Sequence, residues 1–470
     1  VYVMPAVSRY VARLEERLAE ENVTAPLLIM KSNGGVVSAP EVRTAPAYTA
    51  LSGPAAGVVG AGFIGESAGF RNVIGIDIGG TSADISLIKN GQFRLSESGQ
   101  IGEWPLALPM IDINTVGTGG GSIASLTATG ALTVGPRSAG AHPGPACYGQ
   151  GGERATVTDA HLVLGRLPPS LLGGGMSLDV AAARAAIERD VARPLGLSVE
   201  DAARGILAIS NNDMVGAIRV ISVERGEDPR QFALIPFGGA GPLHGSEMAR
   251  LLGMTTLVVP PSPGVLSAIG LLVSTLRADY AQTCVEAPPY DGARIAATFR
   301  QLEQEADAWL ARENAPADTR RKNRSASLRY RHQGFELTVD WPDGPVTEAS
   351  MAEAVERFHR LHEQLYTFAQ RDTVVELVNL RVSAACDLAR PRLVERAAGG
   401  SLAEALVERH PVWFDEGPVP TPVYDRSRLG AGVRVDGPAI LTQLDATTVL
   451  LPGETATVDR YGNLIVRIAK

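Results

Sequence analysis

Eight consecutive residues hold the densest chemistry in this 470-residue chain: Asp77-Ile78-Gly79-Gly80-Thr81-Ser82-Ala83-Asp84. The apolar run before them, Val73–Ile76, and the alternating run Ala83–Ile88 predict two strands joined at the glycines. Gly79 and Gly80 carry no Cβ, so backbone N–H groups can approach a phosphate and bind it as a small nest. Thr81 and Ser82 add hydroxyl donors. Asp77 and Asp84 suit the water shell of Mg²⁺ or another divalent cation better than direct phosphate contact. The motif predicts a phosphate-binding hairpin of the kind that handles ATP, with Asp77 catalytic and Asp77 and Asp84 as the metal-holding carboxylates. Its competitor is an ordinary hairpin turn, with glycine at positive φ and hydroxyls capping loose backbone groups.

A second glycine loop follows a second strand. Phe232–Pro236 runs into Gly238-Gly239-Ala240-Gly241-Pro242 and then a helix, Leu243–Leu252. That unit offers a flat, side-chain-free surface for an adenosine, with a helix N-terminus nearby; alternatively the glycines merely close a strand–helix turn. His244 could touch a nucleotide or fill the first helical turn. Between the two units, from Gly91 to Gly175, Gly and Pro are dense, and Thr118–Ser122 and Pro136–Gly152 read as irregular loops. Gly120, Gly121, Ser122 and His142 are the candidates there for a substrate-facing or interface loop, against a local structural role for His142.

Other motifs are weaker or absent. No Gly-x4-Gly-Lys-Ser/Thr occurs, and the nearest Gly-x-Gly-x-x-Gly imitation, Gly57–Gly62, falls inside an expected helix. No Gly-x-Ser-x-Gly nucleophile motif is present. His359 and His362 share a helix face with Glu363 beside them, a spacing that can bind metal without being His-Glu-x-x-His. Cys147 has no neighbouring base and reads as a small buried side chain. Asp159 either caps a helix His161–Gly165 or orients a loop donor.

Composition narrows the class. Apolar residues make up 45% and charged residues 20%, as in a globular protein with ample core, and the length predicts two or three domains. A net charge of −8 without any Lys/Arg-rich run argues against a nucleic-acid partner. Three separated cysteines, Cys147, Cys284 and Cys386, form no C-x-x-C and suit a reducing cytoplasm. No 18-residue apolar run and no signal peptide appears, so no membrane partner is expected. The opening Val1-Tyr2-Val3-Met4-Pro5 reads as the middle of a domain, which predicts a clipped amino terminus.

The elements that must hold these loops follow from periodicity. Helices are expected at Ser8–Glu21, Ala55–Ala68, Val199–Glu224, Arg294–Arg312 and Ser350–Tyr366. Strands are expected at Leu27–Met30, Thr255–Val259, Ser325–Tyr330 and Phe335–Val339, with a β-rich tail from Val374. The composition shift near Tyr280 divides the chain into 1–284 and a smaller α+β or β-rich domain over 285–470.

Taken together these residues resemble the hydantoinase A/oxoprolinase family, over essentially the whole chain. The match runs through Leu51-Ser52-Gly53-Pro54-Ala55-Ala56-Gly57, the Asp77–Asp84 hairpin and Gly119-Gly120-Gly121-Ser122-Ile123-Ala124. It continues in Gly135-Pro136 through Gly152, Thr158-Asp159-Ala160, Gly238–His244, Arg329-Tyr330, Asn379-Leu380-Arg381 and Gly437-Pro438-Ala439-Ile440. The resemblance implies an α/β fold with an actin/sugar-kinase-like (ribonuclease H-like) ATPase lobe over 1–284, incomplete at its N-terminal side. It implies ATP and Mg²⁺, a small-molecule substrate, and a hydantoinase B-type partner subunit or fused region. The activity implied is ring opening of a cyclic amide or imide such as 5-oxoproline or hydantoin, through phosphoryl transfer to the carbonyl oxygen. A ketone carboxylase subunit or a non-catalytic scaffold docking the B-type subunit are the alternatives, and a generic sugar kinase is weaker. The chain departs from the family pattern in lacking the amino-terminal lobe with its own Asp-x-Gly-Gly-Thr hairpin. It also departs at Thr118, where Ala is usual, and at Tyr366-Thr367-Phe368 instead of Tyr-Gly-Tyr.

Overall fold

Strand pairing between distant segments partitions this chain. The computed structural model describes residues 2–96, 99–101, 104–106 and 108–469, so Val1 of the opening stretch lies outside the described residues. One unit comprises Val1–Ala55, Leu95–Ile111 and Val273–Arg390; the other comprises Ala56–Arg94, Asp112–Leu272 and Pro391–Lys470. The units interleave, where the sequence reading divides the chain consecutively at 284/285.

The second unit is built on a nine-stranded sheet. At its centre lie β1 (Val73–Ile78), the antiparallel β2 (Ala83–Lys89) and the parallel β3 (Ala233–Phe237). Next come β4 (Thr256–Val259), parallel to β3, and β5 (Leu464–Arg467), antiparallel to β4. Ile113–Val116 borders β2, and strands Thr455–Val458 and Arg434–Asp436 extend the sheet past β5. Ile74, Ile76, Ile78, Leu234 and Leu257 are all 0% exposed, which explains why these strands read as unbroken apolar runs: both faces are covered. The helix Ser52–Ser67 lies close because its glycines leave room; a Cβ on Gly57 would fall 2.8 Å from the Phe237 ring.

The pairing of β4 with β5 is the reason the tail joins this unit. Arg426 reinforces it from a buried position, donating to the carbonyls of Val259 at 2.9 Å and Gly462 at 3.1 Å and to Gln443 Oε1 at 2.6 Å. Helix α1 (Val157–Val163) and helix α2 (Val199–Ile221) pack together. By length and composition α2 with its following turn could cross a membrane, in contrast to the sequence reading; instead Ile206, Met214 and Ile218 are buried in the protein's own core. Helix α3 (Gly241–Leu252) follows β3. The stretches read as irregular loops are partly regular: Ser122–Leu126 pairs with Leu132–Ser138 in a hairpin. Alternating polar residues and Gly130 at the turn mask that pairing in the sequence.

The first unit has a six-stranded sheet in the order Leu28–Met30, Val36–Ser38, Leu276–Glu286, Val375–Cys386, Arg320–Tyr330, Leu337–Asp340. Helix Gly292–Arg312 buries Phe299, Leu302, Ala306 and Trp309, as its spacing predicts. In helix Glu348–Tyr366, His359 Nδ1 meets the Tyr330 hydroxyl at 2.8 Å and His362 Nδ1–H donates to the Phe368 carbonyl at 2.8 Å. Both imidazoles are spent on an aromatic cluster, and among the described residues no group of three His, Cys, Asp or Glu side chains could hold a metal.

That helix ends on Thr367 in the left-handed region, at φ +69°, the position of the glycine in Tyr-Gly-Tyr. A β-branched residue there is strained by roughly 1–2 kcal/mol, partly offset by the extra chain entropy glycine loses on folding. Thr367→Gly is expected to raise stability by about 1 kcal/mol in chemical denaturation. A lower unfolding midpoint would show that the Thr367 hydroxyl, bonded to Tyr366 O, outweighs the strain.

Candidate functional site

Register places the two acids of the hairpin together. Asp77 and Asp84 are direct cross-strand partners in β1 and β2, so their side chains emerge on one face. Burial first, and then the charge of Asp84, pushes the Asp77 carboxyl up to about 6. Asp84 accepts a hydrogen bond from the Thr115 hydroxyl at 2.6 Å, and among the described residues no cation pairs with either acid. Two facing carboxylates without a counter-charge suit a divalent cation that keeps most of its water.

The hairpin tip is held by its carbonyls. Gly120 N–H donates to Gly79 O at 3.0 Å and Gly121 N–H to Gly80 O at 2.6 Å, while Gly79 N–H is taken by Ser82 O at 3.1 Å. Gly80 and Thr81 are exposed residues, and their N–H groups have no backbone acceptor among the described residues. Carbonyls tied back beside donors without a backbone acceptor suit an anion-accepting edge. The Thr81 hydroxyl lies 3.4 Å from that of Ser138.

The second glycine loop sits against this hairpin. The parallel register pairs Asp77 with Phe237, and Ala240 N–H donates to Ile78 O at 3.1 Å. Gly238 adopts φ +76°, and a Cβ there would stand 2.3 Å from Asp77 Oδ1 and 2.5 Å from Ile78 O. Gly239 is exposed, and Gly241 opens α3. Behind the loop Asp445 accepts from Gly264 N–H at 2.8 Å and from Gln443 Nε2 at 2.5 Å. Asp445, Thr115 and Ser138 lie far from both motifs in sequence, and only sheet pairing brings them here. No local signal marks them.

The Gly119–Ser122 segment props the hairpin from below. Ser122 is fully buried and its oxygen accepts Gly119 N–H at 2.9 Å. Gly120 O accepts both the N–H and the hydroxyl of Thr158, each at 2.8 Å. Of the two roles the sequence leaves open for Asp159, a cap and an orienter of loop donors, the structure shows both, but the helix it caps does not begin at His161. Thr156 is the N-cap of α1, and Asp159 at its third position completes a capping box, because the helix starts four residues earlier. Asp159 also accepts the N–H groups of Ala146 at 3.3 Å and Cys147 at 2.8 Å. The loop carrying His142 is thereby pinned at its base, with His142 itself exposed.

His244, in the first turn of α3, faces inward. Its Nδ1–H donates to Asn211 Oδ1 at 2.7 Å, since the Asn211 amide donates to Glu247. Its Nε2 must then accept, from His161 Nε2–H at 3.2 Å, which leaves His161 Nδ1 without a partner among the described residues. Arg166 closes the network on Glu247. Burial, and secondarily the Arg166 charge, lowers His244 to about 3. Burial, then His244, lowers His161 further from its ordinary range.

Known proteins resemble this chain in sequence and in fold. The hydantoinase/oxoprolinase family model matches residues 1–280, and the hydantoinase/oxoprolinase C-terminal domain model matches 288–467. Caprolactamase subunit alpha of Pseudomonas jessenii is 36% identical over 466 residues, covering 97% of this chain and 67% of that protein. 5-Oxoprolinase 1 of Arabidopsis thaliana is 33% identical, covering 99% of this chain and 38% of that protein. The crystal structure of the ATP-dependent caprolactamase from Pseudomonas jessenii matches at TM-score 0.91 and 34% identity, covering 100% of this chain and 69% of that one. A nucleotide-free structure of acetone carboxylase matches at TM-score 0.77 and 27% identity, covering 98% of this chain and 67% of that one. The mixed α/β architecture is of the actin-like ATPase fold class.

Two measurements check this geometry. Gly238→Ala is expected to destabilise by about 1–3 kcal/mol in thermal unfolding and to weaken nucleotide binding, because the new methyl and Asp77 claim one space. Intact stability and binding would mean the loop is free to shift. The imidazoles of His161 and His244 stay neutral in the fold, while the unfolded chain protonates them near pH 6.5. Stability is therefore complete above that pH and falls by about 1.4 kcal/mol per pH unit for each as acid is added. For His244 the loss continues to about pH 3. Denaturant titrations at pH 7.5 and 5.5 should show a shallower loss for His161→Leu than for the parent chain.

Proposed function

Because this chain belongs to the hydantoinase/oxoprolinase family, we propose that it is the ATP-using part of an enzyme that opens a cyclic amide or imide. The observation that carries the reading is the uncompensated Asp77–Asp84 pair beside a hairpin tip where the Gly80 and Thr81 N–H groups have no backbone acceptor among the described residues. ATP with a divalent cation fits this donor set: phosphate on the Gly80 and Thr81 N–H groups and the Thr81 and Ser82 hydroxyls, the cation's water shell on Asp77 and Asp84. When bound, ATP supplies the phosphoryl group that turns a poorly electrophilic ring carbonyl into an activated imidate-like one. Gly239 is exposed without a side chain and the Ala240 methyl packs against the core, which leaves room for the adenosine at this loop. The hairpin's task is to hold anionic oxygens in place through fixed donors, and the Gly120 and Gly121 bonds pre-set that geometry.

The names of the relatives favour lactams: caprolactamase and 5-oxoprolinase. We take 5-oxoproline, a hydantoin or a larger lactam as the substrate class, and a B-type subunit or fused region as the partner. The three free, buried cysteines fit a reducing cytoplasm. Ketone carboxylation is the second reading, favoured by the likeness to acetone carboxylase.

The test uses the full-length protein with its partner. ATP hydrolysis should rise on adding 5-oxoproline, hydantoin or caprolactam, and Asp77→Asn should lower that stimulated rate by about 100-fold or more. Stimulation by acetone with bicarbonate would select carboxylation instead. An Asp77→Asn enzyme as active as the parent would leave this chain a scaffold.

A further inference from the structure

The first unit contains a cavity of about 300 Å³ that the preceding account does not use, walled by Lys31, Glu41, Tyr48, Tyr280, Glu305 and Trp309. That volume is at the lower end for small-molecule sites. Its polar groups are sorted by depth. Lys31 is only 7% exposed and Trp309 1%, whereas Glu305 is exposed and Glu41 half-buried. A cation and an indole therefore lie deep, and two carboxylates lie at the rim.

The deep donors are short of acceptors. Lys31 Nζ donates one hydrogen bond, to the Arg277 carbonyl at 3.4 Å, and sits 4.8 Å from the centre of the Tyr48 ring. Burial lowers its pKa, while Asp279 works against that shift. Asp279 itself is already engaged, by Asn33 Nδ2 at 2.5 Å, by the Ser383 hydroxyl and by Arg277 at 3.6 Å. The Trp309 indole N–H is buried with no acceptor among the described residues. Burial and the Glu41 charge push the Tyr280 phenol up, so it too remains a donor. At the rim, Glu41 meets Arg312 at 3.1 Å, and among the described residues Glu305 meets only the Gln301 amide, at 3.2 Å.

We propose that this cavity binds a small zwitterionic amino acid, its carboxylate toward Lys31 and Trp309 and its ammonium toward Glu305 and Glu41. A carboxylate supplies the acceptor that the buried lysine and indole lack, and the two rim acids disfavour a second carboxylate. Tyr48 and Trp309 give the carbon chain an aromatic surface. Hydrolysis of a lactam yields a molecule of this class, since the ring amide becomes one amine and one carboxylate. The identification of the ligand as product rests on the reading above; the site does not.

Calorimetric titration of the full chain, without nucleotide, tests the proposal with 6-aminohexanoate and 4-aminobutyrate. Hexanoate and hexylamine serve as probes lacking one charge each. At least one amino acid should bind saturably at one site per chain, at least tenfold tighter than either single-charge probe. Lys31→Met, Trp309→Phe and Glu305→Gln should each weaken it at least threefold, whereas Asp77→Asn should leave it unchanged. Glu305→Gln changes an exposed residue and so keeps the test independent of folding. Binding of hexanoate or hexylamine as tightly as the amino acid, binding indifferent to Glu305→Gln, or no binding by any probe would overturn the proposal. A lactam-insensitive ATPase with amino-acid binding intact would overturn the functional reading alone.

Discussion

The parallel pairing of β1 with β3 is the constraint on which the second unit depends. It sets Phe237 beside Asp77, and the antiparallel pairing of β1 with β2 sets Asp84 on the other side. Side chains alternate faces along a strand, so a one-residue slip between β1 and β2 would separate the acids, and one between β1 and β3 would move Gly238 away from Asp77. Both parallel strands deliver their carboxyl ends to glycine loops, the place where open α/β sheets commonly take ligands. The fully buried isoleucines of β1 and β2 hold this register, since each fills a core position that a slip would vacate.

Around that ladder the backbone does most of the chemistry-bearing work. Hairpin carbonyls are retained by Gly120 and Gly121, Gly120 in turn by Thr158 and Gly121 by Ala139, and Thr158 stands in the first turn of a helix whose capping box also fixes Ala146 and Cys147. Glycine is demanded where chains approach closely: a Cβ on Gly119 would lie 2.7 Å from Gly79 O, and one on Gly121 2.8 Å from Gly80 O. Side chains enter mainly as charges without local compensation. Asp77 is the clearest instance, because burial and Asp84 both oppose its ionisation.

Much of this was legible from residue order. The Asp77–Asp84 motif, the strand–glycine–helix unit at 233–252 and the amphipathic helices all announce themselves through spacing. What stayed hidden depends on long-range pairing. Asp445 reaches the glycine loop only because the strands Ala439–Thr442 and Thr447–Leu450 form a hairpin beside it. The His161–His244–Asn211 chain joins three helices, and no periodicity distinguishes such a histidine from any other core residue. Asp159 shows an intermediate case: the residue type signals a cap, but the helix start is set by Thr156 and falls four residues before the expected helix His161–Gly165. Lys31 gave no signal at all, since a lysine before a glycine turn looks solvent-bound until the sheet closes over it.

The joining of β4 to β5 has a consequence for biosynthesis. Thr256 and Arg467 are partners across 211 residues. While the ribosome is still translating the intervening stretch, β4 presents one bare edge of hydrogen-bonding groups beside apolar side chains, an invitation to mispairing. Maturation of this lobe must therefore wait for β5 to emerge. Chaperone dependence during expression would be concentrated in that interval.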